Sequence, residues 1–265
     1  TLLCPNEKMP LGIFYLTVLK IGLCGLTFGI LLNDIQKKAR AYADCFVRNR
    51  IWIVIFSVFY ALMSYNIVYS MCLMWIDAVI WLPIVILGIE KITDGGKPYL
   101  LCITYTILFI STYYISYMVG IFSCLYLIFA LVRKHFRGSR ALLIACGKFI
   151  GSAAVAACAG AWLLLPTLYS LFEGKIGSAA VGLQTGYHYE FAQILKKFFL
   201  GTYDSITNSG TPFFYCGIIV FAFYFAYYFT KTISVEEKIL TAVITFFLGI
   251  STYVIQLDLA WHVFQ

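Results

Sequence analysis

Apolar runs of about twenty residues, or near-multiples of that length, dominate this chain. Leu11–Leu32 is one run of 22, residues 51–89 form a block of 39, and residues 98–132 form a block of 35. Ala141–Leu171 follows, then Thr211–Thr230 and Ile239–Tyr253. A helix of about 20 apolar residues crosses a hydrocarbon layer of roughly 30 Å. In that layer every backbone N–H and C=O must be satisfied within the protein, so helices are the natural spanning element. Composition agrees. The 265 residues are 62% hydrophobic and 12% charged, with a mean hydropathy of +0.89. A soluble domain is about half apolar and about a quarter charged. Disorder, a collagen, a disulfide scaffold and a soluble nucleic-acid binder are excluded.

The runs predict an all-α, polytopic transmembrane bundle of about eight spans, forming one domain over residues 1–265. The 51–89 block divides into two spans near Ser64–Ser70, and the 98–132 block into two near Ser111–Tyr114. Ala141–Leu171 is read as one long span, and Asn33–Arg50 as a polar connection. The chain begins on Thr1 and stops a few residues past an apolar run. It is therefore expected to be an internal piece of a longer membrane protein.

Charge asymmetry orients the spans. Thirteen of the nineteen Lys and Arg fall in 33–50, 90–98, 133–140 and 231–238. Four fall in the alternate connections, and Lys20 and Lys148 lie inside spans. The first set is expected to be cytoplasmic, which puts residue 1 outside. The formal charge of +7 is then mostly an inner-face excess facing anionic lipid, not a nucleic-acid surface. Residues 172–210 become the large outer loop. Within it, Phe191, Ile194, Leu195, Phe198 and Phe199 repeat at helical spacing, with Glu190, Gln193, Lys196 and Lys197 opposite. That pattern predicts an amphipathic helix over 189–200, lying on the outer membrane surface or closing the bundle.

Few residues carry chemistry. Lys20 sits ten residues into its span, near the middle of the membrane, where a charge is costly. It either holds a phosphate or pairs with a carboxylate. Asp77, in the outer third of its span, is a general base, a sugar-hydroxyl acceptor or the partner of Lys20. Lys148 is close enough to the inner end to snorkel. His188 and His262 lie at the outer face, where His262 follows Trp261 as an interfacial or ligand-binding residue, and His135 lies in a basic inner loop. Tyr65, Tyr69, Tyr113, Tyr114 and Tyr117 gather at the outer ends of short spans. They line a water-filled recess or form an interfacial aromatic belt. The nine cysteines are single, with no C-x-x-C pair, and read as small apolar fillers. No metal site and no cofactor is evident. There is no P-loop, no G-x-G-x-x-G after a strand, no H-E-x-x-H and no G-x-S-x-G. Gly25-x-x-x-Gly29 and Gly147-x-x-x-Gly151 mark close helix packing.

Several segments taken in order resemble the YfhO family of bacterial multi-spanning membrane proteins. They are Tyr60–Tyr65, then Tyr69-Ser70 with Met74–Asp77 and Leu82-Pro83, then Ser111–Met118, Leu163–Leu168 and Trp261–Gln265. Ser116, often Gly in such motifs, and Val263 depart from the pattern. The resemblance places the chain among the C-type membrane glycosyltransferases of the bacterial cell membrane. It implies a polyprenyl-phosphate-linked sugar as donor and a surface polymer such as lipoteichoic acid as acceptor. A carboxylate is needed to take the acceptor proton, with cations to stabilise the departing phosphate. The resemblance puts that carboxylate in an outer loop before residue 1, leaving Asp77, Lys20 and His262 as candidate site residues. A lipid or solute transporter and a non-catalytic scaffold for envelope assembly remain as alternatives.

Overall fold

In the computed structural model, residues 5–39, 50–134, 138–171 and 215–254 are described, with Glu173, Ala192, 196–199, 257–258 and Trp261 in short pieces. Ten α-helices follow one another among them: α1 (Met9–Ala39), α2 (Ile51–Ala61), α3 (Ser64–Val68), α4 (Leu73–Thr93), α5 (Tyr99–Ser111), α6 (Tyr113–Arg133), α7 (Ser139–Ala159), α8 (Ala161–Leu171), α9 (Ile218–Phe229) and α10 (Val235–Ser251). The all-α bundle expected from the apolar runs is what the chain forms, with no β-strand among the described residues.

Each of the eight expected spans contains a helix. Four are long and apolar enough to cross a membrane alone: Met9–Lys38, Leu73–Thr93, Tyr113–Arg133 and Arg140–Ala159. Ile51–Ala61 and Ser64–Met71 make a fifth if the 44° bend between them belongs to one broken span. The helices Tyr99–Ser111 and Ile218–Phe229 are shorter.

Several boundaries differ from the expected ones, each for a local reason. The first helix does not stop at Leu32. Asn33–Ala39 holds no breaker, and Asp34 and Lys38 pair at i, i+4 across 2.9 Å, so the polar segment continues the helix. The 51–89 block breaks first at Leu62–Met63, and α4 begins only after Cys72. The run 141–171 is two helices, not one span. It divides at Gly160, the C-cap of α7, and Pro166, which lacks an N–H, lies in α8 beyond it. In the run starting at Thr211, residues 215–217 are not helical and α9 begins at Ile218, after Gly217 at a φ of 105°. The last helix starts four residues early because the Ser234 side chain accepts from the Glu237 amide at 3.2 Å, a side-chain cap of its first turn.

The core lies between α4, α5, α6 and α7, where Val85, Ile89, Leu101, Leu108 and Ala130 are buried. A smaller cluster of Cys24, Ile76, Val79 and Ile80 joins α1 to α4. Gly25 and Gly29 bring α1 onto α2. A Cβ on Gly25 would meet the Ser57 carbonyl oxygen at 3.2 Å, and one on Gly29 the Ser57 hydroxyl at 3.0 Å. The second glycine pair, Gly147 and Gly151, has nothing within 4 Å of such a Cβ among the described residues. Among those residues close packing is thus realised at the first motif and not at the second.

Several polar groups in the apolar helices find partners inside the protein, as a hydrocarbon surrounding favours. Thr17, Thr104 and Thr167 donate to the carbonyl one turn back, at 2.9, 2.7 and 2.7 Å. Pro83 lacks an N–H and so frees the Val79 carbonyl. The Tyr60 hydroxyl donates to that oxygen at 2.8 Å, while its ring stacks on Phe28 of α1 at 4.5 Å. Two residues from separate segments, Tyr60 and Pro83, therefore form one device that joins three helices.

Candidate functional site

Lys20 and Asp77 meet. The Lys20 ammonium lies 2.6 Å from Asp77 Oδ1 and donates to the Leu73 carbonyl at 2.9 Å. Leu73 opens α4, so the pair sits level with the first turn of that helix. Lys20, in the middle of the apolar run 11–32, thus faces the start of α4. The partner role is the one of Asp77's three readings that the geometry realises. The two side chains stay 15% and 25% exposed. Lysine has three N–H donors. Two are used, and the third has no acceptor among the described residues.

Around the pair the chain is aromatic. Tyr65 and Tyr69 lie 4.9 Å apart between ring centres, and Tyr69 lies 5.2 Å from Trp75, two residues before Asp77. Tyr65 packs on the Cys24 and Ile76 cluster and is within electrostatic reach of Tyr114, which in turn feels Asp258. Of the five tyrosines, Tyr65, Tyr69 and Tyr114 are thus gathered. Tyr113 and Tyr117, one turn apart on α6, are more exposed, at 38% and 40%. Trp75 joins the group although the sequence alone did not single it out as lining. His262, His188 and His135 fall outside the described residues, as do most of the 189–200 helix and the loop around it.

The segment carrying Tyr65 and Tyr69 is built by the break after α2. The last carbonyls of a helix have no partner within it. Asn66, fully buried, donates its amide to the carbonyls of Tyr60 at 3.1 Å and Ala61 at 3.0 Å. The Ser64 amide donates to the Tyr215 carbonyl at 3.1 Å.

A second polar centre, missed in the sequence, lies at the other end of α4. Glu90 is 2% exposed. It accepts from Arg133 at 2.6 Å and Tyr126 at 2.8 Å, with Lys134 at 3.2 Å. Asp94 pairs with Lys134 and with Lys38, each at 2.6 Å. Lys148 donates to the carbonyls of Gly95 at 3.1 Å and Gly96 at 2.7 Å, cations at a helix C-terminus being favourable. Burial alone would raise the Asp94 carboxyl. The hydrogen bonds and charges of Lys134 and Lys38 outweigh it and hold the group below the ordinary carboxylate range. The visible signal was the Asp34–Lys38 spacing; the pairing across helices had none. Three carboxylates, Asp34, Glu90 and Asp94, are paired with Lys38, Arg133 and Lys134, and Lys148 holds the carbonyls at the end of α4, so this hub reads as a clamp.

Among the described residues no group of three or more His, Cys, Asp or Glu stands close enough to hold a metal ion. A family model described as "Bacterial membrane protein YfhO" matches residues 1–265. No curated protein and no solved structure matches the chain.

Proposed function

The chain belongs to the YfhO family of bacterial membrane proteins, and from that premise we propose that it serves an integral-membrane glycosyltransferase. The reaction moves a sugar from a polyprenyl-phosphate donor to a cell-envelope polymer, such as lipoteichoic acid, on the outer face. The observation that carries this reading is the Lys20 ammonium, held by Asp77 and the Leu73 carbonyl with a third donor that has no acceptor among the described residues. A charged pair at the end of apolar helices is stable against water or protein, not against lipid tails, so its exposed edge is read as facing an aqueous recess beside Tyr65, Tyr69 and Trp75. A lipid-linked phosphate reaches such a place from the membrane, and a hydrophilic acceptor reaches it from outside.

In this reading the bond from the sugar's anomeric carbon to the donor phosphate breaks, and a bond to the acceptor oxygen forms. The acceptor proton goes to a carboxylate base. Asp77 is not assigned that role, because its carboxylate is engaged by Lys20. Asp77 instead holds Lys20, whose spare N–H meets the phosphate as charge builds on it.

The test compares polymer glycosylation in cells carrying the full-length wild type, Lys20→Met, Asp77→Asn and the exchanged pair Lys20→Asp with Asp77→Lys, at matched folded abundance. Lys20→Met is expected to lower transfer by about a hundredfold, the usual scale for one donor to developing charge. The exchanged pair restores the ion pair but not the position of the cation, and is expected to stay inactive. Wild-type transfer in Lys20→Met, or full recovery in the exchanged pair, makes the pair structural and removes it from the site. That outcome favours the scaffold or transporter readings.

A further inference from the structure

The α6 helix starts without a side-chain cap. Its first intrahelical bond runs from the Ser116 amide to the Thr112 carbonyl at 2.9 Å, so the amides of its first turn have no acceptor within the helix. A hydroxyl at the capping position ordinarily accepts from one of them, as Ser234 does on α10 at 3.2 Å. Thr112 occupies that position on α6 and caps nothing. It is 8% exposed, and its hydroxyl is buried without a partner, which is rare for a buried polar group. The place is braced from behind. The Leu108 carbonyl at the end of α5 accepts from the Thr112 amide at 2.9 Å and from the Ser116 hydroxyl at 2.7 Å. Ser111 and Tyr113, on either side of Thr112, are exposed, so the start of α6 opens to the surface. It opens at the same end as the ion pair. Glu90 ties α4 to α6 at their far ends through Tyr126 and Arg133. Each helix has 21 residues, about 30 Å, so Tyr113 starts α6 at the end where Leu73 starts α4. Open amides and an aligned helix dipole favour an anion, and a free hydroxyl beside them adds a donor.

We propose that the start of α6, with the Thr112 hydroxyl, is a second phosphate subsite at the outer end, and that it holds a phosphodiester of the acceptor polymer. This deepens the functional reading above and rests on it for the identity of the polymer. The lipid-linked donor brings one phosphate, which that reading gives to Lys20. An acceptor of the teichoic kind carries a phosphodiester in every repeat, and a separate anion site at the surface anchors it. The Thr112 hydroxyl donates to one phosphate oxygen, and the first-turn amides of α6 donate to another. No bond is made or broken there. The contact fixes where along its length the polymer lies against the recess, so Thr112 is a binding residue and not a catalytic one.

Calorimetric titration of the full-length protein in detergent with a short glycerol-phosphate oligomer tests this. The wild type is expected to bind the oligomer and not an uncharged polyglycerol of the same length. Thr112→Val, which keeps the side-chain shape, is expected to weaken oligomer binding by about tenfold, the scale of one hydrogen bond to a charged group. Thr112→Ser keeps the hydroxyl and is expected to stay within about twofold of wild type. Thr112→Asp gives the open amides a carboxylate of their own. It is expected to block the oligomer while the melting temperature does not fall, which separates a filled subsite from a misfolded protein. A long-chain polyprenyl monophosphate is expected to bind the wild type and Thr112→Val alike. Unchanged oligomer affinity in Thr112→Val overturns the subsite, as does equal loss in Thr112→Ser or equal binding of the uncharged polyglycerol. Weakened polyprenyl monophosphate binding in Thr112→Val, with oligomer affinity kept, gives the subsite to the donor and overturns its assignment to the acceptor. The titration needs no sugar transfer, so its failure is separate from failure of the glycosylation assay. Hydroxyl-dependent oligomer binding in a protein that transfers no sugar upholds the subsite and discards the transferase reading alone.

Discussion

Asp94 shows how far single residues depend on partners from other helices. Its carboxylate is fixed by Lys134 of the α6 end and Lys38 of α1. Its proton affinity is lower in the folded protein than in the unfolded chain. A lowered carboxyl contributes stability above its unfolded value, about 3.9, and loses it as pH falls through the folded value. Asp94 is 40% exposed, so solvent screens the pair and the effect is modest. Thermal unfolding in detergent between pH 6 and 3 is expected to show the wild type losing its margin over Asp94→Asn as pH falls. A margin that stays constant across that range rules the coupling out. Residues such as Lys20 and Asp77 were readable as candidates because a charge in an apolar run stands out. Glu90 was not, since it lies at the edge of a polar stretch and only Arg133 and Tyr126 reveal that it is buried.

At the scale of elements, the lengths of the apolar runs located the helices, while many of their ends were set by local contacts. What the sequence left open was which glycine motif is used. Gly25 and Gly29 admit the Ser57 backbone and hydroxyl of α2, whereas Gly147 and Gly151 face open space among the described residues. Gly25→Leu is therefore expected to destabilise by about 1–3 kcal/mol through overpacking, while Gly151→Leu changes stability by less than about 0.5 kcal/mol. Guanidinium or thermal melts of the two variants check this. Equal losses would mean that α7 packs as tightly as α1. The same limit explains the 141–171 run, where hydropathy is continuous and the division into α7 and α8 falls at Gly160.

For the whole molecule, the charged ends of α1, α4 and α6 converge at one end through Lys38, Asp94, Glu90, Arg133 and Lys134. The Lys20–Asp77 pair and the tyrosines lie at the opposite end of α4. This agrees with the alternation of basic and non-basic connections in the sequence. From the positive-inside rule the hub is expected on the cytoplasmic side. A cysteine at Lys97, in a cysteine-free background, is expected to react with an impermeant maleimide only after cells are permeabilised. One at Met71 is expected to react in intact cells, and the reverse pattern would invert the protein. By itself the sequence determined the helical class and the parity of the connections, because hydropathy and charge act on each segment against a common solvent. Only the tertiary structure decided that Lys20 belongs with Asp77, that Tyr60 serves the carbonyl freed by Pro83, and that Glu90 is a buried anion. Such pairings depend on distances across helices, and nothing in a linear order specifies which side chains will share one low-dielectric place.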